Sequence, residues 1–316
     1  MGISLCMIVK DEEKNIKKCL ASMDEIVDEI IIVDTGSTDS TKDICRKFKK
    51  ARVFDFKWSD DFSAARNESL KHATEEWILV LDADETIRQE DLEKIRKLAH
   101  QSDIPAFSLE QRSYLHDNSY VSHWLVRFFR NTMGFYFRNR VHELVEDSVK
   151  EKGLEYKKED IVIKHSGSLK DAKLINEKKE YYKKLLLKQL EENPDNERYN
   201  YQVGRMYAEE KEFGKALEFL EKASKINPNY KLVFSDIAKV HLQLRNNEKA
   251  IEFYKKSLEL NPGNPSPANN LAVVLMSVGK FEEAKEILKD QIKKHPQEKA
   301  LRKNYDQCLK NLNAIS

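Results

Sequence analysis

Four prolines, Pro194, Pro228, Pro262 and Pro296, follow one another at intervals of 34 residues. A fixed period of that length belongs to one small structural unit stacked on copies of itself, not to a single globular core. Other positions fall into the same register. Ala216, Ala250 and Ala284 lie twelve residues before the last three prolines, where two helices must approach closely. Leu220, Tyr254 and Leu288 lie eight before them, Val203, Ile237 and Leu271 twenty-five before, and Gly204, Ala238 and Ala272 fill the next, small-residue position. Asn193, Asn227 and Asn261 precede three of the prolines, so the second helix of each unit is expected to end there, and proline prevents it from continuing. The spacing predicts full helix pairs over about 197–230, 231–264 and 265–298, with a degenerate unit carrying only the second-helix half over about 171–196. Leu301, Tyr305, Leu309 and Leu312 predict a closing cap helix over about 299–313.

Before residue 168 the period changes. Ile3 to Val9, Glu29 to Val33, Ala51 to Phe56 and Trp77 to Leu81 read as strands, and Glu13 to Met23, Thr38 to Phe48 and Phe62 to Ala73 between them as helices. Strand and helix in alternation imply a mostly parallel sheet covered on both faces. After Asp84 the pattern loosens into a helix near Gln89 to His100 and strand-like Ala106 to Leu115 and Trp124 to Phe129. The chain is therefore expected to hold two domains, 1–168 and 169–316, which suits its 316 residues.

Charge excludes some partners. Lys and Arg number 55 against 54 Asp and Glu, so net charge offers no case for a nucleic-acid or membrane surface. No apolar run approaches the roughly 18 residues of a membrane helix, and Ile3 to Val9 lacks the flanks of a secretory signal. Cys6, Cys19, Cys45 and Cys308 form no CxxC pair, which argues against a zinc site or disulfide framework and favours the cytoplasm.

In an open parallel sheet, ligands bind beyond the carboxyl ends of the strands. Here those ends are acidic: Lys10-Asp11-Glu12, Asp34-Thr35-Gly36-Ser37-Thr38-Asp39, Trp58-Ser59-Asp60-Asp61 and Asp82-Ala83-Asp84-Glu85. Carboxylates gathered on one rim repel unless a cation or a donor-rich ligand joins them. With 21 aspartates in the chain, roughly one Asp-x-Asp arises by chance, so the weight of Asp82-Ala83-Asp84 comes from its place behind the buried run Trp77 to Leu81. Such a pair can hold a hard divalent cation that also takes diphosphate oxygens. Neither GxGxxG nor GxxxxGK[ST] occurs, so phosphate charge must be met by metal and by Arg or Lys. For Asp39 and Thr38, helix capping is the competing assignment.

Together these segments resemble the family 2 glycosyltransferases of the GT-A fold, through Ser4 to Glu12, Ile31 to Asp39, Ser63-Ala64-Ala65-Arg66-Asn67 and Leu79 to Glu85. The 34-residue unit matches the tetratricopeptide pattern. The combination is similar to the branch of the family with C-terminal tetratricopeptide repeats, which includes the peptide S-glycosyltransferases of glycocin biosynthesis. That branch also shows segments like Arg127 to Arg130, Arg140-Val141-His142-Glu143 and His165-Ser166-Gly167. The Gln-x-x-Arg-Trp motif of processive synthases is absent, so transfer of a single sugar is expected.

The resemblance implies an α/β GT-A domain followed by an all-α solenoid, and inverting transfer from a nucleotide-diphosphate sugar, UDP-linked by first expectation, with Mn2+ or Mg2+. It implies that Glu12 and Asp34 meet the nucleoside, Arg66 the diphosphate, Asp82 ribose or metal, and Asp84 the metal, with Lys10 a contact or a solvated charge. An acceptor must lose a proton as it attacks, so Glu143 or His142 is the expected base, unless Glu143 only pairs with Arg138 or Arg140. His165, closing the apolar run Ile161 to Ile163, is expected either at the metal or diphosphate or in the core. The repeats offer Asn200, Tyr201, Arg205, Tyr207, Asp236, Asn269 and Asn270 on first-helix positions suited to an acceptor polypeptide or partner protein, and self-association into a homodimer is the other expected use. Two rival assignments remain: an inactive tetratricopeptide scaffold, and a sugar-phosphate nucleotidyltransferase, which would want a Gly-rich loop after strand one.

Overall fold

A computed structural model describes residues 1–101, 103–114, 117, 119–166 and 172–314. The chain divides into two units, Met1–Leu185 and Leu186–Ser316. The boundary expected at 168, and Gly167 of the His-Ser-Gly segment, lie outside the described residues.

In the first unit, the Ile- and Val-rich runs form β1 (Ile3–Val9), β2 (Glu29–Asp34), β3 (Ala51–Asp55) and β4 (Trp77–Val80), separated by α1 (Ile16–Met23), α2 (Thr41–Cys45) and α3 (Phe62–His72). There follow β5 (Glu85–Ile87), α4 (Gln89–Gln101), β6 (Ala106–Tyr114), β7 (Tyr120–Arg130), α5 (Glu146–Glu151) and β8 (Lys157–His165). The eight strands form one sheet in the order β3-β2-β1-β4-β7-β6-β8-β5. β1 runs parallel to β2 and β4, and β2 parallel to β3. β7 is antiparallel to both β4 and β6, while β8 is parallel to β6 and antiparallel to β5. The sheet is thus mixed: β1 to β4, which alternate with helices, pair parallel as expected, and antiparallel pairing enters with β5 and β7. The chain passes from β6 to β7 in five residues, too few for the crossover that parallel pairing demands.

Alternate residues of the central strands face opposite sides. Ile3, Leu5, Met7 and Val9 of β1 pack with Ile16, Leu20 and Met23 of α1 and with Leu92, Ile95 and Ala99 of α4. Cys6, Ile31, Ile78 and Val80 form the opposite layer with Val145 and Val149, and Leu70 of α3 packs against it. Several elements differ from expectation: α1 starts three residues late, β7 starts four residues early and α5 is additional. α2 starts at Thr41, three residues late, because Asp39 Oδ1 accepts from Thr41 N at 2.9 Å and holds the chain in a turn. β5 was read as rim loop, since three residues are too short to show a period.

The second helical series begins with α6 (Ala172–Glu192), which runs through the division between the units. Pairs α7 (Glu197–Glu209) and α8 (Phe213–Ile226), α9 (Val233–Gln243) and α10 (Asn247–Leu260), α11 (Pro265–Ser277) and α12 (Phe281–Lys294) follow, with α13 (Lys299–Asn313) closing the stack. Ala216, Ala250 and Ala284 are fully buried. Within each pair the turn places one residue in the left-handed region: Lys211, Arg245 and Gly279, again 34 apart. Among the described residues no helix is long and apolar enough to cross a membrane.

Candidate active site

Strand register builds the rim. Val9 stands opposite Asp34 and Asp34 opposite Asp55, while β4, on the other side of β1, ends at Val80. Residues 10–12, 34–39 and 82–84 therefore leave the sheet at one edge.

The Asp34 side chain is buried. Its Oδ1 accepts from Gly36 N at 3.0 Å and Ser37 N at 2.9 Å, a tight turn that needs the positive φ of 105° at Gly36. Its Oδ2 is buried and has no hydrogen-bond partner among the described residues. Glu12 is half-buried and accepts from Asn15 Nδ2 at 2.7 Å. Lys10 is exposed. Asp39 and Thr38 serve the loops: Asp39 Oδ2 accepts from Glu13 N at 3.1 Å and Thr38 N donates to Asp11 Oδ1 at 2.7 Å. Burial opposes the charge on the Asp39 carboxyl, but hydrogen bonds from Thr41 and Glu13 together hold it below its ordinary range.

At the centre lies Arg66. Asp61 caps α3, accepting from Ala64 N at 3.0 Å, and one turn later the helix delivers Arg66 into the interior, 4% exposed. Its Nε donates to Glu143 Oε1 at 2.8 Å and its Nη2 to Asp82 Oδ1 at 2.6 Å. The third nitrogen, Nη1, is buried with no partner among the described residues. Burial works against the charge, but Asp82 and Glu143 overcome it and the guanidinium stays firmly protonated. Burial likewise opposes the Asp82 carboxylate, and Arg66 and Arg127 hold its pKa far below the usual range.

Two members of this cluster were missed. Arg127 of β7 reaches Asp82 Oδ2 at 3.5 Å and Glu85 Oε1 at 3.7 Å. Glu85, fully buried, accepts from Asp82 N at 2.8 Å and from Gln111 Nε2. Burial pushes the Glu85 carboxyl up. The Arg-Phe-Phe-Arg segment was the available signal for Arg127: on a strand, Arg127 and Phe128 face opposite ways, and Phe128 is core.

Asp84 and His165 meet because Glu85 of β5 pairs with His165 of β8. Ser166 donates to the Asp84 carbonyl through N at 3.1 Å and Oγ at 2.8 Å. The His165 Nε2 lies 3.4 Å from Asp84 Oδ2, and its Nδ1 lies 2.9 Å from Ser113 Oγ. The bond to Asp84 raises the imidazole pKa against the effect of burial. Asp84 and His165 thus supply an oxygen and a nitrogen donor side by side, and Asp82 Oδ2 is spent only on a 3.5 Å contact. Among the described residues no group of three or more His, Cys, Asp and Glu side chains closes around one point.

Glu143 sits in a loop pinned by Arg138 and Leu144, which exchange backbone hydrogen bonds of 3.0 and 3.1 Å. Asn139 and His142 in that loop have positive φ. Glu143 is held by Arg66 and not by the two arginines considered from sequence: Arg138 pairs with Glu151, and Arg140 Nη1 donates to the Asp60 carbonyl at 3.4 Å. Glu143 Oε2 makes no hydrogen bond among the described residues. The His142 side chain is exposed.

In the second unit, a cavity of about 260 Å³ is lined by Tyr201, Arg205, Asp236 and Lys239 among others, and Tyr201 Oη donates to Asp236 Oδ2 at 2.8 Å. Asn200 is fully buried, donating to the carbonyls of Pro194 and Asn196 at 2.8 Å. It is a core residue, not the surface contact expected from its helix position.

Two separate parts of the chain are similar to known proteins. Residues 4–149 match the glycosyl transferase family 2 model, and residues 197–230 and 241–304 match tetratricopeptide repeat models. A TPR repeat-containing protein of Synechococcus elongatus is 43% identical over 148 residues, 46% of this chain and 36% of that protein. The SPbeta prophage-derived glycosyltransferase SunS of Bacillus subtilis is 37% identical over 145 residues, 45% of this chain and 34% of SunS. The poly-beta-1,6-N-acetyl-D-glucosamine synthase of Staphylococcus epidermidis is 35% identical over 94 residues, 27% of this chain and 22% of the synthase. The match with the first two spans about a third of each relative's length. The chain carries an N-terminal glycosyl transferase family 2 domain followed by C-terminal tetratricopeptide repeats.

Proposed function

We propose that this chain is a metal-dependent, inverting glycosyltransferase that moves one sugar from a nucleotide-diphosphate donor to an acceptor, either a polypeptide or a glycan precursor, in the cytoplasm. The observation that carries the reading is Arg66. A guanidinium that holds two carboxylates and still buries an unpartnered Nη1 has a donor left for a third anion, and a donor diphosphate is that anion. Asp34 supports the nucleoside side, since its buried Oδ2 lacks a donor that a nucleobase or ribose hydroxyl supplies. Glu12 stands beside it, and Lys10 is free to reach solvent-facing phosphate oxygens.

Mn2+ or Mg2+ would be held by Asp84 with His165 beside it, while Asp82, whose Oδ2 has the weaker arginine contact, offers a further oxygen on the same rim without closing around one point with them. When bound, the cation supplies charge neutralisation at the diphosphate leaving group. Glu143 is the proposed base. Arg66 fixes one of its oxygens, leaving Oε2 to take the proton of the attacking acceptor. His142 stands next to it at the surface as the second candidate. The repeat cavity around Tyr201, Arg205 and Asp236 supports presentation of a polypeptide acceptor.

The test is a panel of UDP- and GDP-linked sugars offered with and without Mn2+ or Mg2+, scored for donor hydrolysis and for thermal stabilisation. Hydrolysis that requires the cation bears the reading out. Silence across the panel transfers the case to a scaffold that has lost activity.

A further inference from the structure

Helix α6 begins beyond residue 149, where the family 2 match ends, yet its tyrosines reach the site. Tyr181 and Tyr182 both belong to the first unit. The Tyr181 hydroxyl donates to Asp60 Oδ1 at 2.6 Å and accepts from Trp58 Nε1 at 2.6 Å, and Trp58 Nε1 is also 3.2 Å from Asp60 Oδ1. Asp60 is held in the left-handed region, φ 58°, and its carbonyl accepts from Arg140 at 3.4 Å. One segment, residues 58–62, thereby fastens three parts of the site: α3 with Arg66, the loop with Glu143, and α6.

Fastening α6 sets its neighbour. Tyr182 packs edge-on against Phe62 at 5.8 Å, and Phe62 against Trp58 at 4.8 Å, so three aromatic side chains stand in a row. Tyr182 is half-buried and makes no hydrogen bond through its hydroxyl among the described residues. Burial, then Glu143 and Asp82, push its phenol up, while Arg66 opposes them, so the hydroxyl keeps its proton. A protonated phenol left without an acceptor at the edge of a cleft calls for an oxygen from a ligand.

We infer that Tyr182, from outside the family 2 domain, completes the sugar subsite, its hydroxyl donating to a hydroxyl of the transferred sugar while Trp58 and Phe62 form the apolar wall along the ring. The position follows from Phe62, which Tyr182 packs against and which opens the helix that carries Arg66. The inference rests on the glycosyltransferase reading above. It makes Tyr182 a residue of sugar selection and Tyr181 a positioning residue that acts through it.

The experiment is Tyr182→Phe in the full chain, which keeps the ring against Phe62 and removes the hydroxyl alone. UDP and GDP without sugar, and UDP-glucose, UDP-N-acetylglucosamine and GDP-mannose with Mn2+, serve as probes. The expected result is a loss of about five- to tenfold in kcat/KM for hydrolysis of the wild-type enzyme's best donor, with affinity for the bare nucleotide and the melting temperature unchanged. Tyr181→Phe should lower the same ratio and leave the bare-nucleotide affinity alone. Equal turnover by wild type and Tyr182→Phe overturns the inference, as does an equal loss for nucleotide and nucleotide sugar, which marks a structural role. A wild-type chain that hydrolyses none of the donors overturns the underlying reading instead.

Discussion

Gly204 occupies a position that its two counterparts in the repeat fill with Ala238 and Ala272, and helix propensity alone says Gly204→Ala should stabilise α7 by about 1 kcal/mol. The packing says otherwise. A Cβ at 204 would stand 2.7 Å from Leu220 Cγ, and 3.0 Å from both Leu220 Cδ2 and Leu220 N. Apolar carbons rest near 3.5–4.0 Å, and one of the obstructing atoms is backbone, so a new rotamer at Leu220 cannot relieve the whole clash. Overpacking of this kind costs about 1–3 kcal/mol, which leaves a net loss of about 1 kcal/mol after the propensity gain. For a repeat unit of this size that is a fall of about 3–5 °C in the helix-rich thermal transition, followed by circular dichroism. Leu220→Ala in the same background separates the causes. Without the Leu220 side chain most of the clash is gone, so the penalty of Gly204→Ala should shrink by about 1 kcal/mol or change sign. A higher melting temperature for Gly204→Ala alone, or a penalty indifferent to Leu220, would refute the close-approach argument.

Asp84→Ala should abolish cation-dependent donor hydrolysis while leaving the chain folded, because the side chain meets His165 at the rim beyond the strand ends; full activity in excess chelator contradicts it. Glu143→Gln should lower kcat far more than donor affinity, since a base acts on the acceptor proton in the transition state; collapse of donor affinity would instead make Glu143 part of donor binding through Arg66. Asp91 tests the fold. Its buried carboxylate accepts from Arg88 Nε at 2.6 Å, Lys94 Nζ at 2.7 Å and Val162 N at 3.0 Å, which outweighs the effect of burial and lowers its pKa. A lowered folded pKa contributes stability above the unfolded value of about 3.9 and loses it as pH falls through the folded one, so Asp91→Asn should cost about 2 kcal/mol at pH 7 and much less near pH 3. A penalty constant with pH would show that shape, not charge, holds α4 to β8.

The periodic parts of this chain were legible because a single physical cause writes them. Proline and asparagine punctuate each helix pair every 34 residues, and α8 and α10 end at Asn227 and Asn261 as that punctuation requires. Strand runs of Ile and Val need only local burial, so β1 to β4 were readable to within a residue or two. The acidic rim was readable because strand ends are local too. What sequence could not show is which charge meets which. Arg66 finds Glu143 across 77 residues and Asp82 across 16, and Arg127 finds Asp82 across 45. Those distances along the chain are closed by sheet order, and the antiparallel half, where the alternating pattern ends, sets that order. Tyr182 was hidden for a related reason: on sequence α6 is half a repeat, and only Asp60 and Trp58 show where it is tied.

On the proposed reading, the charges of the centre would let the site receive a diphosphate without rearranging. Asp82, Glu85 and Glu143 face Arg66 and Arg127, and burial raises Glu85 toward its neutral form. Each bond in the cluster uses one edge of a forked group: Nε and Nη2 of Arg66, Oδ1 of Asp82, Oε1 of Glu143. The opposite edges remain as Arg66 Nη1, Asp82 Oδ2 and Glu143 Oε2, one donor and two acceptors. A donor group for phosphate, an oxygen for a cation and an oxygen for a proton are the three requirements of transfer from a diphosphate sugar. The same bonds that stabilise the buried charges hold these three atoms in place before any ligand arrives, so binding energy is not spent on orienting them. Losing Arg66 would therefore misplace all three at once, whereas Arg127, whose nearest contact to Asp82 is 3.5 Å, governs mainly the oxygen left for the cation.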